Sequence, residues 1–495
     1  MTEPPPRDGR GPAVLTLVLA VGLAIATALA VVFAVSLQAA RDRIAELEEG
    51  RGEATAPTGG GGDPLQELLE GLLGQGGLGG SGGLAGCIGS GALGGESVEA
   101  PAGPPARQVG VLANQVEEIR ELTFKRPVRP VFLGDGAIGR RIRRLFLEDY
   151  TPAVADREAR ILTALGAIPP GLDLIEARTR ALTSAVAGFY LPETGELVVR
   201  TSSGEELGPL EWVTLVHELE HALADQRLDL PVPEEPRPGR EDADLASLAV
   251  VEGDATLTMQ RYSSSLPFDQ QLGLLDIEAI AEAEAGLAGF PYFLRQELLF
   301  PYEDGLAFVC QRYAAGGWDA VDDAYREPPT TTAQILFPER YSRDDGRIDV
   351  PDTRRLASPW RPEGTHQFGA AILLWLLEAP GGDPGRAVGE PAAAARAWAG
   401  GEVRLWTRGR SSAVGLALSE GKGEDVLCEA ISRWYAAAFP GAKAEGSPTG
   451  AGLVLDGSSQ DAALVCDADS VWLGIAPDPD TARALVGEGV IPGPR

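Results

Sequence analysis

A long apolar segment stands near the start of the chain. No side chain from Ala13 to Leu37 carries a charge, and a helix needs about 20 such residues to cross the hydrocarbon core of a bilayer. The apolar region of a cleaved signal peptide is shorter, about 7–15 residues. We therefore predict a transmembrane helix at 13–37, with a cleaved signal peptide as the alternative.

The orientation of this predicted span is not fixed by its flanking charges. Arg7 and Arg10 precede it, and Arg41 and Arg43 come after it, so the positive-inside rule gives a tie. A single N-terminal anchor commonly exports the chain on its C-terminal side. We expect a cytoplasmic tail at 1–12 and the bulk of the protein outside the cytoplasm.

Glycine, with serine, alanine and proline, dominates the chain after the span. Such a composition buries too little apolar surface to become ordered. The sequence predicts a disordered tether at 38–106.

Beyond residue 107 the apolar residues recur at three- and four-residue spacing, which is typical of amphipathic helices. Two short apolar runs around a Pro-x-x-Gly turn, at 188–191 and 196–200, predict a β-hairpin. The helices predicted before the hairpin are Gln115–Leu122, Ile138–Tyr150, Val154–Leu165 and Ile175–Val186, and a strand is predicted at Val128–Leu133.

Two helices are predicted after the hairpin, at Pro209–Gln226 and Asp242–Ser263. The pattern stays mainly helical to about Trp398, with a Pro/Asp-rich break from Pro338 to Glu363. From Glu402 to Gly487 it becomes rich in strands. The predicted fold class is α+β: a mainly helical domain at 107–400 with a short hairpin sheet, and a small α+β domain at 401–495.

The charge and the cysteine content of the chain exclude some classes of function and site. Asp+Glu number 72 against Lys+Arg 42, for a formal net charge of −30, so we expect no nucleic acid partner. The four cysteines, Cys87, Cys310, Cys428 and Cys466, are too few and too scattered for a disulfide scaffold or a cysteine-rich zinc site. Whether Cys428 and Cys466 pair stays open.

Two of the three histidines fall in one short motif. His217 and His221 lie four residues apart on the predicted helix, so both imidazoles point from one face and can bind a single Zn²⁺. Glu218 is placed to take a proton from water on that ion, as a general base. The alternative is a surface helix whose histidines face solvent or pair with Glu220. The apolar residues around the motif favour a partly buried helix instead.

The hairpin, the His-Glu-x-x-His helix and the subsequent Glu-Gly-Asp-Ala helix resemble the core of gluzincin-type zinc metallopeptidases. They are also similar to a set of uncharacterised actinobacterial membrane-anchored proteins with the same order of elements. The resemblance covers about 188–262 and implies a zincin-like core with Glu252 as third zinc ligand. Because the run Leu245–Val251 is apolar, Glu252 is expected to be buried, which is costly for a carboxylate unless it is paired or bound to metal.

Other residues are candidates for roles around the zinc. Asp254 would orient a ligand histidine, although the gluzincin pattern puts this carboxylate at the position of Thr256. His366 is a rival third ligand, a transition-state donor or an ordinary loop histidine. Tyr190 lies on the hairpin strand whose edge, by the resemblance, would bind extended substrate. Glu220 stands where the motif usually has an uncharged residue, and we expect it to turn partly toward solvent.

The sequence thus predicts a zinc metallopeptidase anchored at the membrane or cell envelope, with a peptide or protein as substrate. The alternative is a non-catalytic membrane-anchored envelope protein that keeps a gluzincin-like fold as a binding or scaffold module. An intact Glu218 favours the enzyme, because a structural zinc site needs no general base. Substrate, cleavage preference and oligomeric state are not encoded in any recognisable motif.

Overall fold

The computed structural model describes residues 87, 98, 100–184, 188–200, 206–232, 239–274, 289–341, 354–421, 426–446, 453–456, 460–467 and 469–487. The predicted transmembrane helix at 13–37 and nearly all of the predicted tether lie outside these residues. Within them, no helix combines the length and apolar character needed to cross a bilayer.

Helices build most of the N-terminal part, and each helix predicted from periodicity is confirmed, with different ends. The helices are α1 (Pro105–Arg120), α2 (Asp135–Asp149), α3 (Pro152–Ala164), α4 (Leu174–Ser184), α5 (Pro209–Arg227), α6 (Glu241–Ser265), α7 (Phe268–Gly273), α8 (Tyr292–Arg326), α9 (Thr332–Leu336), α10 (Pro338–Tyr341), α11 (Ala370–Glu378) and α12 (Pro391–Ala397). Two 3-10 turns, Pro380–Gly382 and Pro384–Arg386, come after α11.

A three-stranded sheet lies beside these helices. It contains β1 (Pro130–Leu133), β2 (Gly188–Leu191) and β3 (Glu196–Arg200), in the order β1-β3-β2. Strands β2 and β3 form the predicted antiparallel hairpin, and Gly195 in its turn has φ +64°, a value that suits glycine. Strand β1 runs parallel to β3, so β2 is left at one edge of the sheet.

A second, seven-stranded antiparallel sheet has the order β4-β5-β6-β10-β9-β8-β7. Its strands are β4 (Arg361–Gln367), β5 (Trp398–Arg408), β6 (Ser411–Glu420), β7 (Lys443–Gly446), β8 (Leu453–Asp456), β9 (Asp461–Asp467) and β10 (Ser470–Ala476), with helices α13 (Leu427–Ala438) and α14 (Pro479–Val486). Strand β4 was not predicted. Its sequence lacks apolar alternation, and its pairing with β5 supplies the backbone hydrogen bonds that make it a strand.

The described residues therefore form a mixed α+β fold, as predicted. One apolar cluster runs through both predicted domains: it includes Leu112 of α1, Leu377 of α11, Trp398 of β5 and Ile475 of β10. Strand β4, which lies before the predicted boundary at residue 400, pairs with β5 across it. The helices and the second sheet share a core.

Two disulfide bonds join distant parts of the chain. Cys428 on α13 is bonded to Cys466 on β9, which answers the question left open by the sequence. Cys87 is bonded to Cys310 on α8. The Cys87 carbonyl also accepts a hydrogen bond from Arg261 Nη2 at 2.8 Å. Cys87 lies within the predicted tether, and this residue is buried and attached to the helices.

Candidate metal centre

Helix α5 presents the two imidazoles. It begins at Pro209, and the Glu211 carboxylate accepts a hydrogen bond from the backbone N–H of Gly208 at 3.0 Å, which satisfies one free N–H of the first turn. His217 and His221 then lie one turn apart. His217 is 0% exposed and His221 7% exposed, so the alternative of a solvent-facing helix is wrong.

Helix α6 brings Glu252 to the same place. This helix is buried on all sides around Glu252, which is itself 0% exposed. Gly253 of α6 faces Gly305 of α8 so closely that a Cβ on either would overlap the backbone of the opposite helix. This close crossing fixes the position of Glu252 on α6 relative to α8.

The three side chains converge on one point. His217 Nε2 lies 3.1 Å from His221 Nε2 and 3.1 Å from Glu252 Oε2, and His221 Nε2 lies 3.5 Å from the same oxygen. A tetrahedral zinc site with bonds of about 2.0–2.1 Å has ligand atoms about 3.3–3.4 Å apart. The observed triangle is close to this size, and this buried cluster can hold a metal ion.

Glu218 lies beside this triangle with its two oxygens in different situations. Oε2 accepts a hydrogen bond from the Tyr190 backbone N–H at 2.9 Å, whereas Oε1 is buried without a partner among the described residues. Burial raises the pKa of Glu218 to about 8. Glu252 differs: burial also opposes its charge, but the charge of His221 and a hydrogen bond from His217 outweigh it and lower the pKa to about 2.

The other candidate residues are not brought into the triangle. The Tyr190 hydroxyl donates to Asp225 Oδ2 at 2.6 Å, so Tyr190 meets Glu218 only through its backbone. His366 lies on β4, where its Nδ1 is 3.2 Å from Glu241 Oε1 at the start of α6. Glu241 precedes Glu252 by three helical turns, which is about 16 Å along the helix axis. The His366 imidazole is therefore paired with a residue far from the cluster.

Glu220 is fully buried, so the expectation that it turns toward solvent is wrong. Its Oε1 lies 3.5 Å from Nε of Arg120, a buried guanidinium of α1, and its Oε2 lies 4.0 Å from His221 Nδ1. Asp254 binds the same guanidinium, Nη2 at 3.0 Å, and accepts a hydrogen bond from the Tyr325 hydroxyl at 3.0 Å. Glu220, rather than Asp254, is thus the carboxylate on the Nδ1 side of His221.

Sequence reasoning missed Tyr302, which is 2% exposed on α8. Its ring lies 6.1 Å from the His217 ring, centroid to centroid. Its hydroxyl makes no hydrogen bond of standard geometry to any described residue. Burial and the nearby charges of Glu252 and Glu218 raise its pKa. The only available signal was a tyrosine amid acidic residues in an apolar helix, which does not reveal proximity to the motif.

Comparison with known proteins adds no family assignment. Scans of the chain against models of protein families, against curated proteins and against solved structures found no match. The site itself supports a metal-binding triad of His217, His221 and Glu252. Which metal it selects, and whether the surrounding fold belongs with the gluzincins, remain predictions.

Proposed function

We propose that this protein is a zinc-dependent peptidase that hydrolyses peptide bonds in a peptide or protein substrate at the membrane or cell envelope. The observation that carries the proposal is the triangle of His217 Nε2, His221 Nε2 and Glu252 Oε2, with edges of 3.1, 3.1 and 3.5 Å. Two imidazoles and one carboxylate are a donor set of catalytic zinc sites, which keep a fourth position for water or substrate.

Zinc held by these three residues would act as a Lewis acid that polarises a peptide carbonyl and makes water more acidic. Glu218 is the general base in this proposal. Its Oε1 has no partner among the described residues and is free to accept the proton of the attacking water. The Tyr190 N–H holds Oε2 and thereby fixes the orientation of the carboxylate.

Substrate binding is assigned to the edge of β2. The backbone N–H of Tyr190 is directed to Glu218 rather than to β3, so the edge of β2 that does not pair with β3 lies on the side of Glu218. An extended peptide can add to such an edge as a further strand. The Tyr302 hydroxyl, next to Glu218 and Glu252 and without a partner of standard geometry, is the proposed donor to the developing oxyanion.

The two disulfides support the location. All four cysteines of the chain are bonded in pairs, Cys87–Cys310 and Cys428–Cys466. Disulfides persist in oxidising compartments and are rare in the cytosol. This favours the exported orientation expected for an N-terminal anchor at 13–37.

One observation favours a second candidate, a non-catalytic envelope protein that uses the metal to stabilise a binding or scaffold module. His217, Glu218 and Glu252 are each 0% exposed, and structural metal sites are closed to solvent. The unpartnered Glu218 Oε1 argues for catalysis, because a purely structural site has no use for a buried free carboxylate oxygen.

Metal analysis and a general peptide-cleavage assay on the full chain distinguish these functions. We expect the wild-type protein to contain one zinc and to cleave peptides. Glu218→Gln should retain the zinc and lose cleavage, because the base is not a ligand. Glu252→Ala should lose most of the metal.

The matched control is Glu193→Gln, the same change at an exposed residue of the hairpin turn, which should preserve both zinc and cleavage. Bound zinc with no cleavage in the wild-type protein would favour the scaffold function. Full zinc retention in Glu252→Ala would place the third ligand elsewhere.

A further inference from the structure

Arg120 is an unusual residue to find at the centre of a protein. It is 0% exposed, and a buried charge is costly unless it is paired and hydrogen-bonded. Its guanidinium meets three carboxylates: Nη2 lies 2.8 Å from Asp322 Oδ1 and 3.0 Å from Asp254 Oδ2, and Nε lies 3.5 Å from Glu220 Oε1. The face of the guanidinium stacks on Trp318, 4.2 Å from the ring centroid.

Two of these carboxylates are next to metal ligands in the sequence. Glu220 immediately precedes His221 on α5, and Asp254 lies two residues after Glu252 on α6. Arg120 belongs to α1, a different helix. Its side chain therefore lies between the two helices that carry the ligands, hydrogen-bonded to Asp254 of α6 and in contact with Glu220 of α5.

The third carboxylate extends this link to α8. Asp322 lies in the part of α8 that follows a non-helical break at Gly316 and Gly317. Tyr325 in the same part also donates a hydrogen bond to Asp254. The network thus connects α1, α5 and α6 with the second part of α8.

We propose that Arg120 is a positioning residue that sets the separation of α5 and α6, and with it the size and affinity of the metal triad. This inference rests on the proposed zinc site. A guanidinium suits the task because its planar fork bonds carboxylates in several fixed directions, whereas a lysine ammonium is a single compact charge. Lysine at this position keeps the charge and loses the fixed geometry.

The test is Arg120→Lys in the full chain, with zinc affinity measured by chelator competition and the visible spectrum of the Co²⁺-loaded protein recorded. Loss of residues that orient metal ligands typically costs about 10–100-fold in metal affinity. We expect at least a tenfold weaker zinc affinity and a changed Co²⁺ spectrum. A loss of stability alone would move neither the spectrum nor the affinity of the folded fraction.

Arg178 provides the matched control. It is a second buried guanidinium, and it binds Glu158 and Glu297 and stacks on Tyr150, but it links α4 with α3 and α8 rather than α5 with α6. Arg178→Lys should lower the thermal stability and leave the zinc affinity and the Co²⁺ spectrum unchanged.

Asp254→Asn, which preserves the side-chain size, gives the same test if Arg120→Lys does not fold, and should also weaken zinc binding. Wild-type zinc affinity and an unchanged Co²⁺ spectrum in both folded variants would overturn the role of Arg120 alone. Absence of zinc binding by the wild-type protein would instead overturn the proposed function, and the positioning role with it.

Discussion

Tyr302 has a buried hydroxyl without a hydrogen bond of standard geometry among the described residues. Tyr302→Phe removes only this oxygen. If the hydroxyl stabilises the developing oxyanion, kcat should fall by about 10²–10³-fold, the typical cost of losing one such donor. Zinc content and stability should be preserved, since the ring stays in place. Steady-state kinetics and metal analysis check this prediction.

The control for Tyr302→Phe is Tyr262→Phe. Tyr262 of α6 is also buried and its hydroxyl also lacks a partner among the described residues. This variant should keep wild-type activity. An unchanged kcat in Tyr302→Phe would remove the hydroxyl from the chemistry.

Asp242 gives the stability of the protein a defined pH dependence. Burial raises its pKa from 3.8 to about 6, against hydrogen bonds from the Thr332 hydroxyl and N–H. Because the folded pKa lies above the unfolded one, its contribution to stability is complete below pH 3.8 and is lost as the pH rises through 6. The total change is about 3 kcal/mol.

Denaturant unfolding of wild type and Asp242→Asn at pH 5 and pH 7.5 measures this effect. Roughly half of this total change in stability falls between pH 5 and pH 7.5. As the pH rises, the free energy of unfolding of the wild type should therefore drop by about 1 kcal/mol more than that of the variant. The exposed Asp319→Asn serves as control and should show no such gain. An equal change in the free energy of unfolding between the two pH values for wild type and Asp242→Asn would contradict the prediction.

At the scale of elements, the crossing of α6 and α8 depends on Gly253 and Gly305. Gly253→Ala places a Cβ against the backbone of Gly305, so the helices must separate. Overpacking of this kind costs about 1–3 kcal/mol. Because Glu252 is the adjacent residue, zinc affinity should fall as well. Thermal unfolding and chelator competition measure the two effects.

Gly110 of α1 is the matched helical glycine: it is exposed, and a Cβ there would meet nothing within 4 Å. Gly110→Ala should stabilise the protein by about 0.5–1 kcal/mol through helix propensity. A destabilised Gly110→Ala, or an unaffected Gly253→Ala, would contradict the packing argument.

Helical periodicity and turn residues, which act between residues close in sequence, predicted the helices and the hairpin. The four-residue spacing placed His217 and His221 on one side of a helix, because helical periodicity determines the face on which a side chain lies. The apolar run before Glu252 predicted its burial, and its place beside the histidines was expected from the resemblance to gluzincins. The hairpin was equally predictable from its turn residues.

Contacts between distant segments account for the features that the sequence did not predict. Glu220 is buried in contact with Arg120, a residue a hundred positions earlier in the chain. His366 stands in a strand because β5 pairs with it. Tyr302 reaches the site through the close crossing of α8 with α6. None of these partners is marked by composition or spacing.

For the whole molecule, the two disulfides should contribute unequally to stability. Cys87–Cys310 closes a separation of 223 residues and Cys428–Cys466 one of 38. The chain-entropy estimate is about 5 kcal/mol for the first and about 4 kcal/mol for the second. Replacing each pair by serine and measuring urea unfolding should therefore show the larger loss for Cys87 and Cys310. The opposite order would mean that the segment around Cys87 adds little to the folded state.

The continuous core that includes Leu112 and Ile475 has a consequence for biosynthesis. A nascent chain that has emerged only as far as α12 holds α11, which packs on β5 and α13, with part of its apolar surface still uncovered. Exposed surface of that kind promotes aggregation. Strand β5 and helix α13 are translated after α11. The apolar surface of α11 is therefore covered only once β5 and α13 have been made and have folded onto it.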